Sequence, residues 1–118
     1  MHPPDARRQT PDLARQRAYN VHMGIEEILA GKREEIVRIA SKHGVRSIRV
    51  FGSVARGDAG PHSDIDFLIE IGGDTPPWFP GGLIADLEEL LGRRVDVVAS
   101  SWLNEIIKAG VLAEAVPL

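Results

Sequence analysis

The sequence contains no cysteine among its 118 residues. This absence excludes disulfide bonds, thiolate nucleophiles and zinc sites built on cysteine, and it is compatible with a cytoplasmic location. No apolar run approaches the ~18 residues that a membrane-spanning helix needs, and the N-terminus lacks the apolar stretch of a secretory signal. We therefore expect a cytoplasmic protein that does not enter a membrane.

The chain also lacks a basic balance of charge. Its net charge is −3, with four Arg and two Asp in residues 1–22 against ten basic and fifteen acidic residues in 23–118. A nonspecific nucleic-acid-binding protein needs a basic face that replaces the counterions of the phosphates. Direct binding of nucleic acid is therefore not expected, whereas carboxylates gathered around metal ions are compatible with this charge.

The length fits one domain and leaves little room for a separate substrate-binding domain. Residues 1–22 contain three prolines and few apolar residues, so we expect a flexible leader. Residues 23–118 are better patterned and are expected to form the folded domain. One hypothesis is that Met23 is the physiological start of the protein, which N-terminal sequencing of the native protein would test.

The periodicity of the apolar residues predicts a helix, two strands, a helix, a strand and a last helix. That order indicates an α+β fold in which helices pack on a small mixed β-sheet. The segment 64–71 is too apolar to be an edge strand. The predicted elements are a helix over 25–43 with a break at Gly31, a strand over 45–51, a loop or very short helix over 52–61, strands over 64–71 and 94–99, a helix over 83–91, and a helix from Trp102 to about Val116 capped by Ser101.

Two carboxylates stand two residues apart in the second strand. The side chains of Asp64 and Asp66 leave the same face of the strand, whereas those of Ile65 and Phe67 point into the core. Like charges on one face of an apolar strand repel each other and are costly to bury. Bound Mg²⁺ resolves both problems, since it takes a few carboxylates together with water and phosphate oxygens. The strand therefore predicts a metal site, holding one ion or a pair ~3.5–4 Å apart.

A third carboxylate lies in the last strand. Asp96 stands between Val95 and Val97 and faces away from both. If this strand lies beside the segment 64–71, Asp96 joins Asp64 and Asp66 at one site. Asp96 could also accept or orient the proton of an acceptor hydroxyl.

The turn at Gly52 and Ser53 follows a strand directly. Glycine lets the backbone approach a phosphate closely, and the amides and hydroxyl of this turn can donate to phosphate oxygens. Arg56 can reach the same phosphates, although it could instead be a surface arginine or pair with Asp58. Ser63 is a weaker candidate for nucleotide binding. A P-loop is rejected, because residues 58–59 are Asp and Ala where that motif needs Lys and Ser or Thr.

Gly52-Ser53, ten intervening residues and Asp64-Ile65-Asp66 resemble the signature of the DNA polymerase beta-like nucleotidyltransferase superfamily. The fuller GSVARG…SDIDFLI, with VDVV downstream, is similar to its smallest branch, the MNT (minimal nucleotidyltransferase) proteins, over about residues 33–118. The resemblance implies the polymerase beta-like fold. It also implies that Asp64 and Asp66 are paired ligands of two Mg²⁺ ions, Asp96 is the third carboxylate, and Gly52 and Ser53 hold the triphosphate of ATP or another nucleoside triphosphate.

The resemblance further implies a partner. MNT proteins are usually encoded beside a HEPN-domain protein and act as its antitoxin, with transfer of AMP to a tyrosine of the HEPN ribonuclease. The expected protein is thus an Mg²⁺-dependent protein adenylyltransferase in a hetero-oligomer with a HEPN toxin.

Two other functions stay open at this point. A non-catalytic antitoxin would neutralise the toxin by binding alone and would keep a vestigial metal site. Transfer to a small molecule such as an aminoglycoside is disfavoured, because so short a chain leaves nothing to form a pocket for the small molecule.

Overall fold

The computed structural model describes residues 23–118, so the predicted leader over 1–22 lies outside the described residues. No helix within the described part is both long enough and apolar enough to cross a bilayer. In chain order the elements are α1 (Ile25–Leu29), α2 (Arg33–Lys42), β1 (Val45–Phe51), α3 (Gly52–Arg56), β2 (Ile65–Ile71), α4 (Gly81–Leu91), β3 (Val95–Ala99), a 3₁₀ helix (Ser100–Trp102), α5 (Glu105–Glu114) and β4 (Val116–Pro117).

The four strands form one mixed sheet in the order β3-β2-β1-β4. β1 pairs antiparallel with β2 and with β4, whereas β2 and β3 are parallel. β2 is therefore a central strand, as its apolar sequence predicted. The α+β fold class with helices on a small mixed sheet is confirmed.

The core lies between one face of the sheet and the helices that pack on it. Alternate residues of the central strand, Ile65, Phe67 and Ile69, are fully buried in this core, and Leu68 on the other face is buried as well. The helices contribute Leu29, Ile36, Ala40, Leu83 and Leu87 to the same cluster. The opposite face of β2 carries Asp66, so the fold separates the apolar core from the candidate site.

The sequence prediction was wrong about the last helix and missed β4. Residues 100–102 form a 3₁₀ helix, and α5 begins only at Glu105. Its N-cap is Asn104 rather than Ser101, because the Asn104 side chain accepts a hydrogen bond of 3.0 Å from the amide of Ile107. The helix ends at Glu114, since residues 116–117 pair with β1 as an edge strand. So short a strand, ending in a proline that cannot donate to the ladder, gives no periodic signal.

Replacing Asn104 by alanine should lower the free energy of unfolding by about 1 kcal/mol, because the first turn of α5 loses its side-chain cap. Urea denaturation of the full-length protein measures the change in the free energy of unfolding. Ser101→Ala is the matched control, since the Ser101 side chain is exposed and residue 101 precedes the start of α5. Equal destabilisation by the two substitutions would contradict the assignment of the cap.

Candidate active site

The parallel pairing of β2 with β3 brings two of the predicted aspartates together. Asp66 is the register partner of Asp96. Residues paired across adjacent strands present their side chains on the same face of the sheet. Asp96 is exposed while Val95 and Val97 on either side of it are buried, so both carboxylates lie on the face opposite the core.

Asp64 precedes β2 by one residue and has a different partner. Its carboxylate lies 3.4 Å from Nε of Arg94 in a largely exposed ion pair. In the described chain from Met23 onward, no three acidic or histidine side chains already stand at the separation that a bound cation requires. The backbone thus places Asp66 beside Asp96, whereas the side chain of Asp64 is engaged with Arg94.

The electrostatics of this group nevertheless suit a divalent cation. Burial raises the pKa of Asp66, and the neighbouring carboxylates of Asp96 and Asp64 raise it further. A cation would relieve this repulsion, and the available donors are carboxylate oxygens, the ligand type that Mg²⁺ prefers. The residues therefore fit Mg²⁺ by donor chemistry and by charge.

Gly52 joins the predicted phosphate-binding turn to these carboxylates. Its φ is +74°, a left-handed conformation that favours glycine. A Cβ atom at this position would overlap the Asp66 carboxylate. Phe51, the preceding residue, is the register partner of Asp66 across β1 and β2. The turn and the carboxylate are thus in direct contact, and any side chain at position 52 would displace the carboxylate.

A carboxylate that the sequence analysis did not single out already sits on this turn. Glu114, the last residue of α5, accepts a hydrogen bond of 2.6 Å from the amide of Gly52. It also accepts one of 2.9 Å from the guanidinium of Arg56. The hydrogen bond from Arg56 and, to a smaller extent, the hydrogen bond from Gly52 hold the pKa of Glu114 below its usual value. Two of the donors predicted to bind phosphate therefore converge on one anionic group.

Arg56 has a second acidic neighbour. Its Nε lies 3.5 Å from the carboxylate of Asp58, the pairing that the sequence left open. The hydrogen bond to Glu114 and the charge of Asp58 raise the pKa of Arg56 above its usual value. The guanidinium is about half exposed and remains at the rim of the same turn.

The turn opens into a cleft of about 570 Å³ between α3 and α5. Four of its lining residues belong to α5 at spacings of three and four, so they form one face of that helix. The sequence does not reveal this face, because nothing local to α5 shows which part of the sheet the helix approaches. The lining residues are Phe51, Gly52, Ser53, Arg56, Asp66, Ile107, Gly110, Val111 and Glu114.

Ser63 is not brought to this cleft. Its hydroxyl accepts a hydrogen bond of 2.9 Å from the amide of Gly60 and so closes the turn before β2. The guanidinium of Arg93 donates to the carbonyls of Gly60 and Ser63, at 3.2 and 3.0 Å. Ser63 therefore belongs to a turn fastened to the start of β3, and it lines a separate cleft with Arg93.

The family model of the nucleotidyltransferase domain matches residues 33–116. The matched segment contains the turn at Gly52, all three aspartates and Glu114. The chain belongs to the nucleotidyltransferase domain family.

Individual relatives agree with the family match. The protein adenylyltransferase MntA of Thermococcus cleftensis is 40% identical over 93 residues, which cover 78% of this chain and 90% of the relative. A candidate protein adenylyltransferase of Methanocaldococcus jannaschii is 38% identical over 94 residues, which cover 80% of this chain and 97% of the relative. This chain is thus similar to minimal members of the family over nearly their whole length.

Solved structures show the same fold. A structure assigned as a candidate minimal nucleotidyltransferase superimposes with a TM-score of 0.72 at 40% identity, covering 82% of this chain and 98% of that one. A toxin–antitoxin structure with AMP-PNP superimposes with a TM-score of 0.63 at 19% identity, covering 73% and 71%. The sheet and its helices are therefore those of the minimal nucleotidyltransferases.

Proposed function

We propose that this protein transfers AMP from ATP to a tyrosine hydroxyl of a HEPN-family toxin and acts as its antitoxin. One observation carries the proposal. In a single cleft, the turn at Gly52 and Arg56 donates hydrogen bonds to the Glu114 carboxylate, and the same turn lies against Asp66. Nucleotidyl transfer needs phosphate-binding donors and carboxylates for cations within one site. Residues 23–118 form the proposed catalytic domain.

The triphosphate would bind where the Glu114 carboxylate now accepts hydrogen bonds. The amide of Gly52 and the guanidinium of Arg56 donate there to an anion. Phosphate oxygens can use the same donors, which means that they compete with Glu114. Ser53 lines the cleft beside Gly52, and its hydroxyl is a further donor. Ser63 is given no contact with the phosphates in this proposal, since its hydroxyl accepts a hydrogen bond from the amide of Gly60 in a neighbouring turn.

Asp64, Asp66 and Asp96 would hold Mg²⁺, which when bound neutralises phosphate charge and polarises the reacting phosphoryl group. For this purpose Asp64 must exchange its exposed ion pair with Arg94 for the cation. Such a pair contributes about 0–1 kcal/mol at a protein surface, so its loss costs little free energy. Asp66, already repelled by its neighbours, needs no such exchange.

The reaction forms one bond and breaks one. The acceptor oxygen attacks the α-phosphorus in line, and the bond from that phosphorus to the oxygen bridging to the β-phosphate breaks. Pyrophosphate leaves with the electron pair of that bond, while Arg56 offsets its charge. The exposed carboxylate of Asp96 accepts or orients the proton that the acceptor hydroxyl loses. The chain mainly positions the reactants.

The proposed partner and acceptor rest on the relatives. The adenylyltransferase MntA from Thermococcus cleftensis is 40% identical to this chain, and proteins of the same fold occur in solved MntA–HepT toxin–antitoxin complexes. These likenesses support an acceptor on a partner protein, which suits a domain with little room for an acceptor site of its own. A hetero-oligomer with the toxin is the proposed assembly.

Incubation of the chain and a co-purifying HEPN protein with Mg²⁺ and ATP should increase the intact mass of the HEPN protein by one or more AMP groups. Peptide mapping then identifies the modified residue, expected to be a tyrosine. The other three nucleoside triphosphates in parallel reactions give the nucleotide preference. A stable complex with an unmodified partner would overturn the proposed transfer in favour of an antitoxin that acts by binding alone.

A further inference from the structure

One face of α5 forms a wall of the cleft with no assigned role. Ile107, Gly110 and Val111 line the cleft within about two turns before Glu114, the residue that sits on the proposed phosphate-binding donors. Ile107 is 53% exposed, so an apolar side chain on this wall has much of its surface uncovered by the described fold. The wall continues directly from the turn at Gly52.

Gly110 is the residue on this wall that packing does not explain. It lies inside α5, where glycine is less favourable than alanine because it loses more backbone entropy. A Cβ atom built at this position meets nothing within 4 Å. The folded protein therefore has room for a side chain at Gly110, and the missing side chain keeps this part of the cleft open.

We propose that Ile107, Gly110 and Val111 form the binding site for the nucleobase of the nucleoside triphosphate. The inference rests on the proposed function and adds a second part to the same ligand site. A planar aromatic ring can lie flat on a helix face where a glycine lowers the surface between two apolar side chains. The occupant is a nucleobase because the cleft is continuous with Gly52 and Arg56, which anchor the phosphates of the same molecule.

Distances along α5 agree with this assignment. Gly110 and Glu114 are four residues apart, which is about 6 Å along a helix. A nucleotide whose phosphates replace the Glu114 carboxylate at Gly52 can therefore reach Gly110 if it runs along α5. Ile107 and Val111 supply apolar surface without side-chain hydrogen-bonding groups, so this wall contributes affinity for a ring rather than recognition of its edge.

The test compares the binding of ATP and of inorganic tripolyphosphate by calorimetry in the presence of Mg²⁺. Wild-type protein should bind ATP more tightly, because tripolyphosphate lacks the base. Ile107→Ala should weaken ATP binding by roughly tenfold, as for the loss of an apolar contact in a ligand pocket. Its affinity for tripolyphosphate should stay unchanged. Ile106→Ala is the matched control, since Ile106 is 87% exposed and lies outside the cleft lining.

Gly110→Leu provides a second test that does not weaken the fold. Leucine favours helices, and the added side chain enters open space, so the melting temperature should equal or exceed that of the wild type. The side chain should block the ring and weaken ATP binding by more than tenfold, again without affecting tripolyphosphate.

Three results would separate the alternatives. Unchanged ATP affinity in both variants, with weaker transfer to the partner, would assign the wall to the acceptor and overturn the inference. Equal losses for ATP and tripolyphosphate would overturn it as well, because the effect would then lie at the phosphates. Failure of the wild type to bind either ligand would instead contradict the proposed function itself.

Discussion

Asp66→Asn should lower nucleotidyl transfer by at least about 10³-fold, because several kcal/mol of charge stabilisation depend on the carboxylate. The same substitution should stabilise the metal-free protein. Burial, Asp96 and Asp64 all raise the pKa of Asp66, which means that its ionised form is unfavourable in the folded state. Transfer is measured by intact mass of the acceptor protein and stability by thermal denaturation.

The sign of the pH dependence follows from the raised pKa. The folded protein binds the proton of Asp66 more tightly than the unfolded chain, whose ordinary pKa is 3.8. The proton on Asp66 therefore stabilises the folded protein at low pH. This contribution is lost as the pH rises from the unfolded-state pKa through the raised folded-state pKa, and it is absent above the folded-state pKa. Because Asp66 is partly exposed, solvent screening limits the stability that Asp66→Asn gains at neutral pH. The gain in the free energy of unfolding is on the order of 0.5 kcal/mol, which raises the melting temperature by roughly 2–4 °C.

Asp74→Asn is the matched control for Asp66→Asn, since Asp74 is exposed in the loop before α4. It should leave transfer unchanged. Addition of Mg²⁺ should raise the melting temperature of the wild type and of the control more than that of Asp66→Asn. Full transfer by Asp66→Asn would remove this carboxylate from the proposed mechanism.

Gly52→Ala should destabilise the protein by about 1–3 kcal/mol and lower transfer by at least about 100-fold. The loss of stability comes from the left-handed backbone at φ +74°, which alanine adopts only with strain. The loss of activity comes from the overlap of the new Cβ with the Asp66 carboxylate, which must move away from the turn. A displacement of about 1 Å at reacting groups is enough for a loss of this size.

Gly92→Ala separates the two effects. Gly92 ends α4 with φ +65°, and a Cβ there meets nothing within 4 Å. Its substitution introduces comparable backbone strain without an overlap at the cleft. Denaturant unfolding should thus show similar destabilisation of both variants, while transfer measured below the unfolding range should fall only in Gly52→Ala. A similar loss of transfer in Gly92→Ala would attribute the effect to general destabilisation.

The sheet could be predicted from the sequence because its strands are strongly patterned. Apolar residues alternate in β3, and β2 buries Ile65, Phe67 and Ile69 on one face. The same alternation predicted that Asp66 and Asp96 face away from the core. Their adjacency was conditional on strand order, which local pattern does not determine, and the parallel pairing of β2 with β3 supplies it.

The α5 wall and Glu114 could not be predicted, because their position depends on contacts distant in sequence. The hydrogen bond from Gly52 to Glu114 spans 62 residues. The apolar periodicity of this segment places Leu103, Ile106, Ile107 and Leu112 on one side of the predicted helix, which does not single out the face that carries Gly110 and Val111. The structure instead leaves α5 without a buried residue and turns this face towards the cleft.

The register of β3 has a consequence for how the site assembles. If β3 slid by one position along β2, every side chain of the strand would change faces. Val95 and Val97 would turn to water and Asp96 would enter the apolar interior, where an ionised carboxylate without a partner is strongly unfavourable. Correct folding of this strand and alignment of the two carboxylates are consequently a single event, enforced by hydrophobic burial on the side of the sheet opposite the candidate site.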